Sequence, residues 1–420
     1  MVFRRLTLVL SLFLACGTPL WAGPQILRAA RMLDVDSGKI LSPAVIVVQE
    51  NHISAVNPEQ LPVDATTIDL GDVTLLPGLM DMHTHLTFAL EGHWVHRDVE
   101  ESASDAVLRG VKHARVTLHA GFTTVRNVGS GGFGGVALMR AIERNDIEGP
   151  RIVPAAHSLG VTGGHCDTTG YAPGIQELDY RQGVADGVDE VVKAVRYQIK
   201  HGAKVIKTCA TAGVLSFEET VGAQQYSDDE LRAMVDEADR HGIKVAAHAH
   251  GAEGILAAVK AGVASIEHGS MLTDEILGEM KQRGTYLVPT TYLVGAIDMD
   301  NLPAPIRAKA EFILPRAVDS LQRAIKARIN IAFGTDAAVY PHGDNGREFA
   351  VLVQRGMSPL EAIRTATIHS ADLLGVDDRG RIRKGLLADL VAVPGNPLEE
   401  IGVMEQVVFV MKDGVVAKQP

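Results

Sequence analysis

Six polar residues, His83, His85, Lys207, His248, His268 and Asp336, each stand at or near the end of a short apolar run. Imidazoles, an amine and a carboxylate are costly to bury unless they pair or coordinate a metal, so their recurrence at strand-like ends points to a metal site. In Gly78-Leu79-Met80-Asp81-Met82-His83-Thr84-His85 the two histidines are spaced i, i+2. Period-two alternation aims both at one face of a strand, where they can share an ion. Donors of this kind around one point would hold paired ions that activate water for hydrolysis.

These residues need a scaffold of parallel strands. Apolar runs of strand length alternate with helix-like stretches at 189–201, 227–241 and 252–261, the pattern of βα units. Eight strands are expected, at 79–86, 123–128, 151–156, 205–210, 244–250, 265–268, 286–290 and 331–336. Eight alternating units favour an α/β fold closed into a (β/α)8 TIM-like barrel, with chemistry at the C-terminal strand ends. The metal-type residues fall on strands one, four, five, six and eight of that count. Short alternating runs at 26–33, 44–48 and 53–56 are matched by runs at 390–393, 407–411 and 415–416, so both chain ends are expected to build one small β domain. The resulting division is 1–22 as a signal peptide, 78–377 as the barrel, and 23–77 with 378–420 as the β domain.

The 420 residues carry a formal charge of -11 and a pI near 5.8, which excludes a basic nucleic-acid-binding face. Arg4 and Arg5, then an apolar stretch at 6–16 and small residues, read as a secretory signal cleaved after Gly17 or Ala22. That stretch is too short for a stable membrane span. Export to the periplasm or medium is expected, with Ala15-Cys16 only a weak lipoprotein signal. The two cysteines then left, Cys166 and Cys209, could pair in an oxidising compartment, but sequence cannot give their separation, and two free or buried thiols is the expectation.

The chain resembles the amidohydrolase superfamily, metal-dependent hydrolases on a (β/α)8 barrel with an attached β-sandwich. The likeness rests on Pro77-Gly78-Leu79-Met80-Asp81-Met82-His83-Thr84-His85, Val205-Ile206-Lys207-Thr208, Ala247-His248-Ala249-His250-Gly251, Ile266-Glu267-His268-Gly269 and Phe333-Gly334-Thr335-Asp336, with the tail from Gly380 to Leu390. Within that superfamily it is similar to the imidazolonepropionase-like branch with binuclear prolidases and ochratoxin-type amidohydrolases. The resemblance implies two Zn2+ per subunit: His83, His85 and Asp336 on one, His248 and His268 on the other, and Lys207 bridging as a carbamate made with carbon dioxide. It further implies a metal-bridging hydroxide, with Asp336 as the catalytic proton shuttle. His250 remains an alternative to His248 as ligand, and a homo-oligomer is compatible with the likeness.

The same resemblance gives His165 and Tyr226 substrate-carboxylate roles. Arg126 and Arg347 are unassigned: each could meet a carboxylate or pair with an acid in the wall. The glycine-rich residues 129–135 lack P-loop spacing and read as a mobile lid, with no nucleotide. His93, His96, His113, His119, His201, His241 and His369 match no motif and are expected on surfaces or helix ends. The expected activity is hydrolysis of a peptide-type amide in a small molecule, releasing a C-terminal amino acid from dipeptides or N-acyl amino acids, ochratoxin-like aryl amides included. Rivals are a cyclic amide or lactone hydrolase, a mononuclear deaminase, for which Lys207 would have no use, and a non-enzymatic periplasmic binding protein.

Overall fold

The computed structural model describes residues 23–92 and 94–420, so the expected signal at 1–22 lies outside the described residues, as does His93. The fold is mixed α/β. The described chain begins with β1 (Gln25–Ala29), β2 (Arg31–Asp34), β3 (Lys39–Leu41), β4 (Ala44–Gln49), β5 (His52–Val56), β6 (Thr66–Asp69) and β7 (Val73–Pro77). Then come β8 (Leu79–Thr84), β9 (Phe122–Asn127), β10 (Arg151–Pro154), β11 (Ile206–Cys209), β12 (Val245–Ala249), β13 (Ser265–His268) and β14 (Tyr286–Val288), with helices between most of them. Three more, β15 (Leu390–Pro394), β16 (Phe409–Lys412) and β17 (Val415–Lys418), follow the final helices.

The middle strands are parallel and form two sheets, ordered β10-β9-β8 and β11-β12-β13-β14. Parallel strands joined by helices are buried on both faces, which is why they read as nearly unbroken apolar runs. The expected helices are Val188–Lys200, Asp228–Arg240 and Ala252–Ala261. Ser227 caps the second through a capping box with Glu230, which accounts for the Ser-Asp-Asp-Glu run without a functional role.

Residues 331–336 depart from expectation. Isolated bridges stand only at Ile331, with Leu287, and just beyond the segment at Ala337, with Thr84, although Asp336 N donates to His83 O at 2.8 Å. Asp336 has φ +57°, outside the β region, so the ladder cannot continue through it. The 129–135 segment also differs, because it winds into a 3-10 turn at Gly131–Phe133 and the helix Gly134–Glu143 instead of standing free as a lid.

Strands from both chain ends share one six-stranded sheet, β17-β16-β15-β7-β2-β3, beside a four-stranded sheet β5-β4-β1-β6. Leu27, Ile46 and Val48 from the smaller sheet meet Leu75, Leu390 and Phe409 from the larger in one apolar cluster. The central strand β7 runs through Pro77 directly into β8, so this assembly fixes where the first histidine strand begins.

Cys166 and Cys209 form a disulfide with Cα atoms 5.7 Å apart, which corrects the expectation of two thiols. Their 43-residue separation along the chain carried no spatial information. The bridge between Leu159 and Thr208 brings the loop after β10 back over β11. Closing a loop of that span restricts the unfolded chain by about 4 kcal/mol. No helix among the described residues is long and apolar enough to cross a membrane.

Phe409 is fully buried in the terminal cluster, whereas Val415 on the neighbouring strand is exposed. Phe409→Ala is expected to lower the unfolding free energy in urea by about 3 to 5 kcal/mol, and Val415→Ala to change it by less than about 0.5 kcal/mol.

Candidate metal centre

His83 lies near the end of β8, where alternation turns its side chain to the same side as Asp81. Its ring is buried, with Nδ1 2.7 Å from Glu267 Oε2 and Nε2 3.4 Å from Asp336 Oδ1. Glu267 is held ionised: burial alone would raise it, but the Arg126 guanidinium and His83 bring it down to about 2. An ionised carboxylate only accepts, so His83 Nδ1 donates to Glu267; burial would lower the imidazole's pKa, but the Asp336 and Glu267 carboxylates raise it, and a metal at Nε2 would take the place of the second proton. His85 lies past the strand end, its Nδ1 3.3 Å from Gly129 O and its Nε2 3.6 Å from Asp336 Oδ1.

Asp336 is therefore the point on which β8 and the 331–336 segment converge. Burial would raise its carboxyl, yet the charge and hydrogen bond of His83, then His85 and His268, hold it far below the usual range. Gly334 permits the approach, since a Cβ there would come within 3.0 Å of His83 Cβ and 2.2 Å of Val288. Asp81 ties the segment from below, accepting from Thr335 Oγ1 at 2.6 Å, Asn345 Nδ2 at 2.8 Å and His83 N at 3.0 Å. Burial pushes Asp81 up to about 6.

On the other parallel sheet His248 and His268 come from adjacent strands, β12 and β13, their ring centroids 4.8 Å apart. His268 takes φ +69°, which breaks strand alternation and turns its ring toward His83, 5.0 Å away between centroids. Thr290 Oγ1 holds His268 Nδ1 at 2.8 Å. His250 Nδ1 is engaged by Ser270 Oγ at 2.7 Å, whereas the buried His248 Nε2 has no hydrogen-bond partner among the described residues. Burial presses His85 down to about 4, His250 and His165 to about 3, and His248 and His268 well below the ordinary imidazole value. Neutral imidazoles are what a metal binds. Lys207 on β11 is also buried, which lowers its amine to about 8 against the opposing pull of Glu267 and Asp336.

All six residues line one cavity of about 630 Å³. Donor atoms of His83, His268 and Asp336 lie within 4.8 Å of one another and could hold a metal ion. This trio cuts across the expected division, which put His268 with His248. A buried, unpartnered His248 Nε2 and a set of nitrogen and carboxylate donors fit a divalent ion such as zinc.

His165 lines the same cavity, its ring tilted by 31° against that of His248 at 4.3 Å between centroids, with Nδ1 2.6 Å from Ser216 Oγ. Tyr226 is not brought there. It packs in the main apolar core with its hydroxyl buried and unpartnered among the described residues, and burial raises its pKa. Tyr226 packs into the core just before the following helix, away from the residues that line the cavity. Arg126 is a wall residue, donating to Glu267 Oε1 and Ser265 Oγ at 2.7 and 3.0 Å and to Met82 O at 2.6 Å. Arg347 is half-exposed, bonded to the Tyr292 hydroxyl and near Asp344 and Glu405. His113, expected on a surface, is buried against Leu86 O and stacked on His342.

Sequence reasoning missed Glu267, Asn345 and Ser270. Glu267 had a signal: a carboxylate inside an apolar strand requires a buried cation, and Arg126 is the charged residue inside β9.

A model of the amidohydrolase family matches residues 74–418. The chain belongs to the amidohydrolase family. This amidohydrolase is thus a hydrolytic enzyme acting on amide bonds. It is 34% identical to the ochratoxinase of Aspergillus niger, across 93% of this chain and 86% of that protein. Among solved structures it is similar to a Xaa-Pro dipeptidase with methionine bound in the active site, at 39% identity and TM-score 0.90, covering 94% of this chain and 99% of that one. The A. niger ochratoxinase structure superposes with TM-score 0.83 at 32% identity, covering 95% and 96%.

Glu267→Gln keeps the shape but removes the charge that fixes the His83 tautomer and balances Arg126. Metal affinity measured by chelator competition is expected to fall about 10- to 100-fold. A Cβ at Gly213 would sit 2.2 Å from the His165 ring, so Gly213→Ala is expected to displace that imidazole, visible as a shift of its resonances while metal affinity is kept.

Proposed function

We propose that this amidohydrolase is a binuclear zinc enzyme releasing a C-terminal amino acid from dipeptides or N-acyl amino acids, ochratoxin-like aryl amides included. The observation that carries the reading is the convergence of the His83, His268 and Asp336 donors within 4.8 Å, in a cavity that Lys207, His85 and His248 also line. His83, His85 and Asp336 would hold one ion and His248 and His268 the other; the buried His248 Nε2, without a hydrogen-bond partner among the described residues, is a donor free for that ion. When bound, the ions supply a water acidic enough to attack at neutral pH and a Lewis acid for the carbonyl.

The chain's own groups account for the rest. Lys207, with its amine lowered to about 8, has an appreciable neutral fraction at pH 7 that can add carbon dioxide and release a proton, converting a cation into an anion between two cations. Asp336, ionised and beside His83 and His85, takes the proton of the attacking water and passes it to the departing amine. His165, with Nδ1 occupied by Ser216, faces the substrate carboxylate with its other edge. Phe88, Val214, Leu215, Leu293 and Val294 give the acyl group an apolar wall. The names of two similar proteins, an ochratoxinase and a Xaa-Pro dipeptidase, agree with an amide bearing a free carboxylate.

The same reading takes residues 78–377 as a (β/α)8 barrel and 23–77 with 378–420 as a β-sandwich. Support comes from the isolated bridges that join β11 to the loop after β10, β14 to Ile331, and Ala337 to Thr84 around the parallel strands. Export is supported by the basic-apolar start of the chain and by a disulfide that suits an oxidising compartment.

Metal content per chain, measured beside hydrolysis of a mixed dipeptide and N-acyl amino acid panel, tests the proposal. Two ions per chain with release of a free amino acid are expected. Lys207→Ala should lose both the ions and, by at least about 1000-fold, the turnover. Full turnover without metal, or opening of lactones and cyclic imides with neither substrate class cleaved, would refute it.

A further inference from the structure

The loop from residue 155 to 187 contains neither helix nor strand, yet it carries His165 to the metal centre. Leu159 and Ala185 root its two ends in the core, but between them the 161–170 part is tied by polar contacts: His165 N to Gln225 Oε1 at 3.1 Å, Thr162 to Asp186, and Phe217 N to Thr169 Oγ1 at 3.0 Å. Water competes for each of these. Cys166, next in the chain to His165, is joined covalently to Cys209, the final residue of β11 and two positions beyond Lys207. Both sulfur-bearing residues line the cavity, so a small reductant entering with substrate reaches the bond.

The geometry points to the Cys166–Cys209 disulfide as a redox-sensitive staple that seats His165 against His248, so that reduction releases the 161–170 segment and weakens substrate binding. Cys209 is buried in a strand that is hydrogen-bonded to β12, whereas the segment bearing Cys166 has no ladder of its own. The motion on reduction therefore falls on His165, while Lys207 and His248 stay within their paired strands. The Ser216 hydroxyl and the His248 ring would keep contact with His165 only while the adjacent cysteine is held. The chemistry balances with a dithiol such as dithiothreitol: it gives two electrons and two protons, the S–S bond breaks, two thiols form, and the dithiol closes to its cyclic disulfide. Cys166 and Cys209 are positioning residues, and the kinetic consequence alone rests on the amino-acid-releasing function proposed above.

The test compares the full chain purified without reductant, the same protein reduced with dithiothreitol, and Cys166→Ser/Cys209→Ser, which needs no reductant and excludes thiol binding to metal. Hydrogen exchange is followed by peptide mass, with metal content and the KM and kcat for amino-acid release measured in parallel. Reduction and the double variant are both expected to speed amide exchange in 161–170 by about tenfold and leave 245–249 unchanged. Metal content should hold, KM should rise about tenfold with kcat little altered, and reoxidation should restore the starting values. Equal exchange in 161–170 with and without the bond, or two free thiols in the untreated protein, overturns the staple. If the double variant does not fold, the reduced wild type decides. An oxidised, metal-loaded enzyme that releases no amino acid refutes the function, and exchange then judges the staple by itself.

Discussion

A carboxylate sealed from water has to be answered by charge, and Glu267 is answered twice, by Arg126 on one oxygen and His83 on the other. Burial of any one of these three alone would be strongly unfavourable; together they satisfy one another's donors and acceptors. The arrangement sets the His83 tautomer, and through it which ring atom faces Asp336. It also joins β8, β9 and β13, because the three residues come from those strands. A structural ion pair in the wall thereby becomes the support on which the metal-type donors rest.

The donors themselves depend on breaks in regular structure. His268 and Asp336 both adopt positive φ, at the points where their segments would otherwise carry alternation past the site. A side chain in an extended strand has two directions available; a left-handed residue adds another, and both residues use it to face His83. The hydrogen bond between His268 Nδ1 and Thr290 Oγ1 and that from Asp336 N to His83 O hold these conformations in place.

These breaks also explain what was legible from the amino acids. Apolar runs leading to His83, Lys207, His248 and His268 identified four strands, while the charges buried within strands, Asp81, Arg126 and Glu267, are matched by partners that only the fold brings together. Helices at 188–200, 228–240 and 252–261 were legible from amphipathic spacing and the Ser227 cap. Asp336 was found as a donor but its segment was misread as a strand, since a φ of +57° leaves no trace in hydropathy. Tyr226 was singled out by its place after strand four, and only packing reveals that its ring lies in the core. The Cys166–Cys209 pairing depended on how an irregular loop folds back, for which no periodicity exists.

The seam between the terminal strands and the catalytic part has a consequence for how the polypeptide is made. β7 pairs with β2 on one edge and β15 on the other, then leads straight into the strand bearing His83. During synthesis β2 is available at once, but β15 emerges hundreds of residues later. For that interval the nascent chain presents an apolar strand with one edge bare, a template for pairing with the wrong neighbour. Maturation of the centre therefore waits on translation of a distant strand, and a ribosome stalled before it would leave a chain whose first histidine ribbon is anchored on one side only.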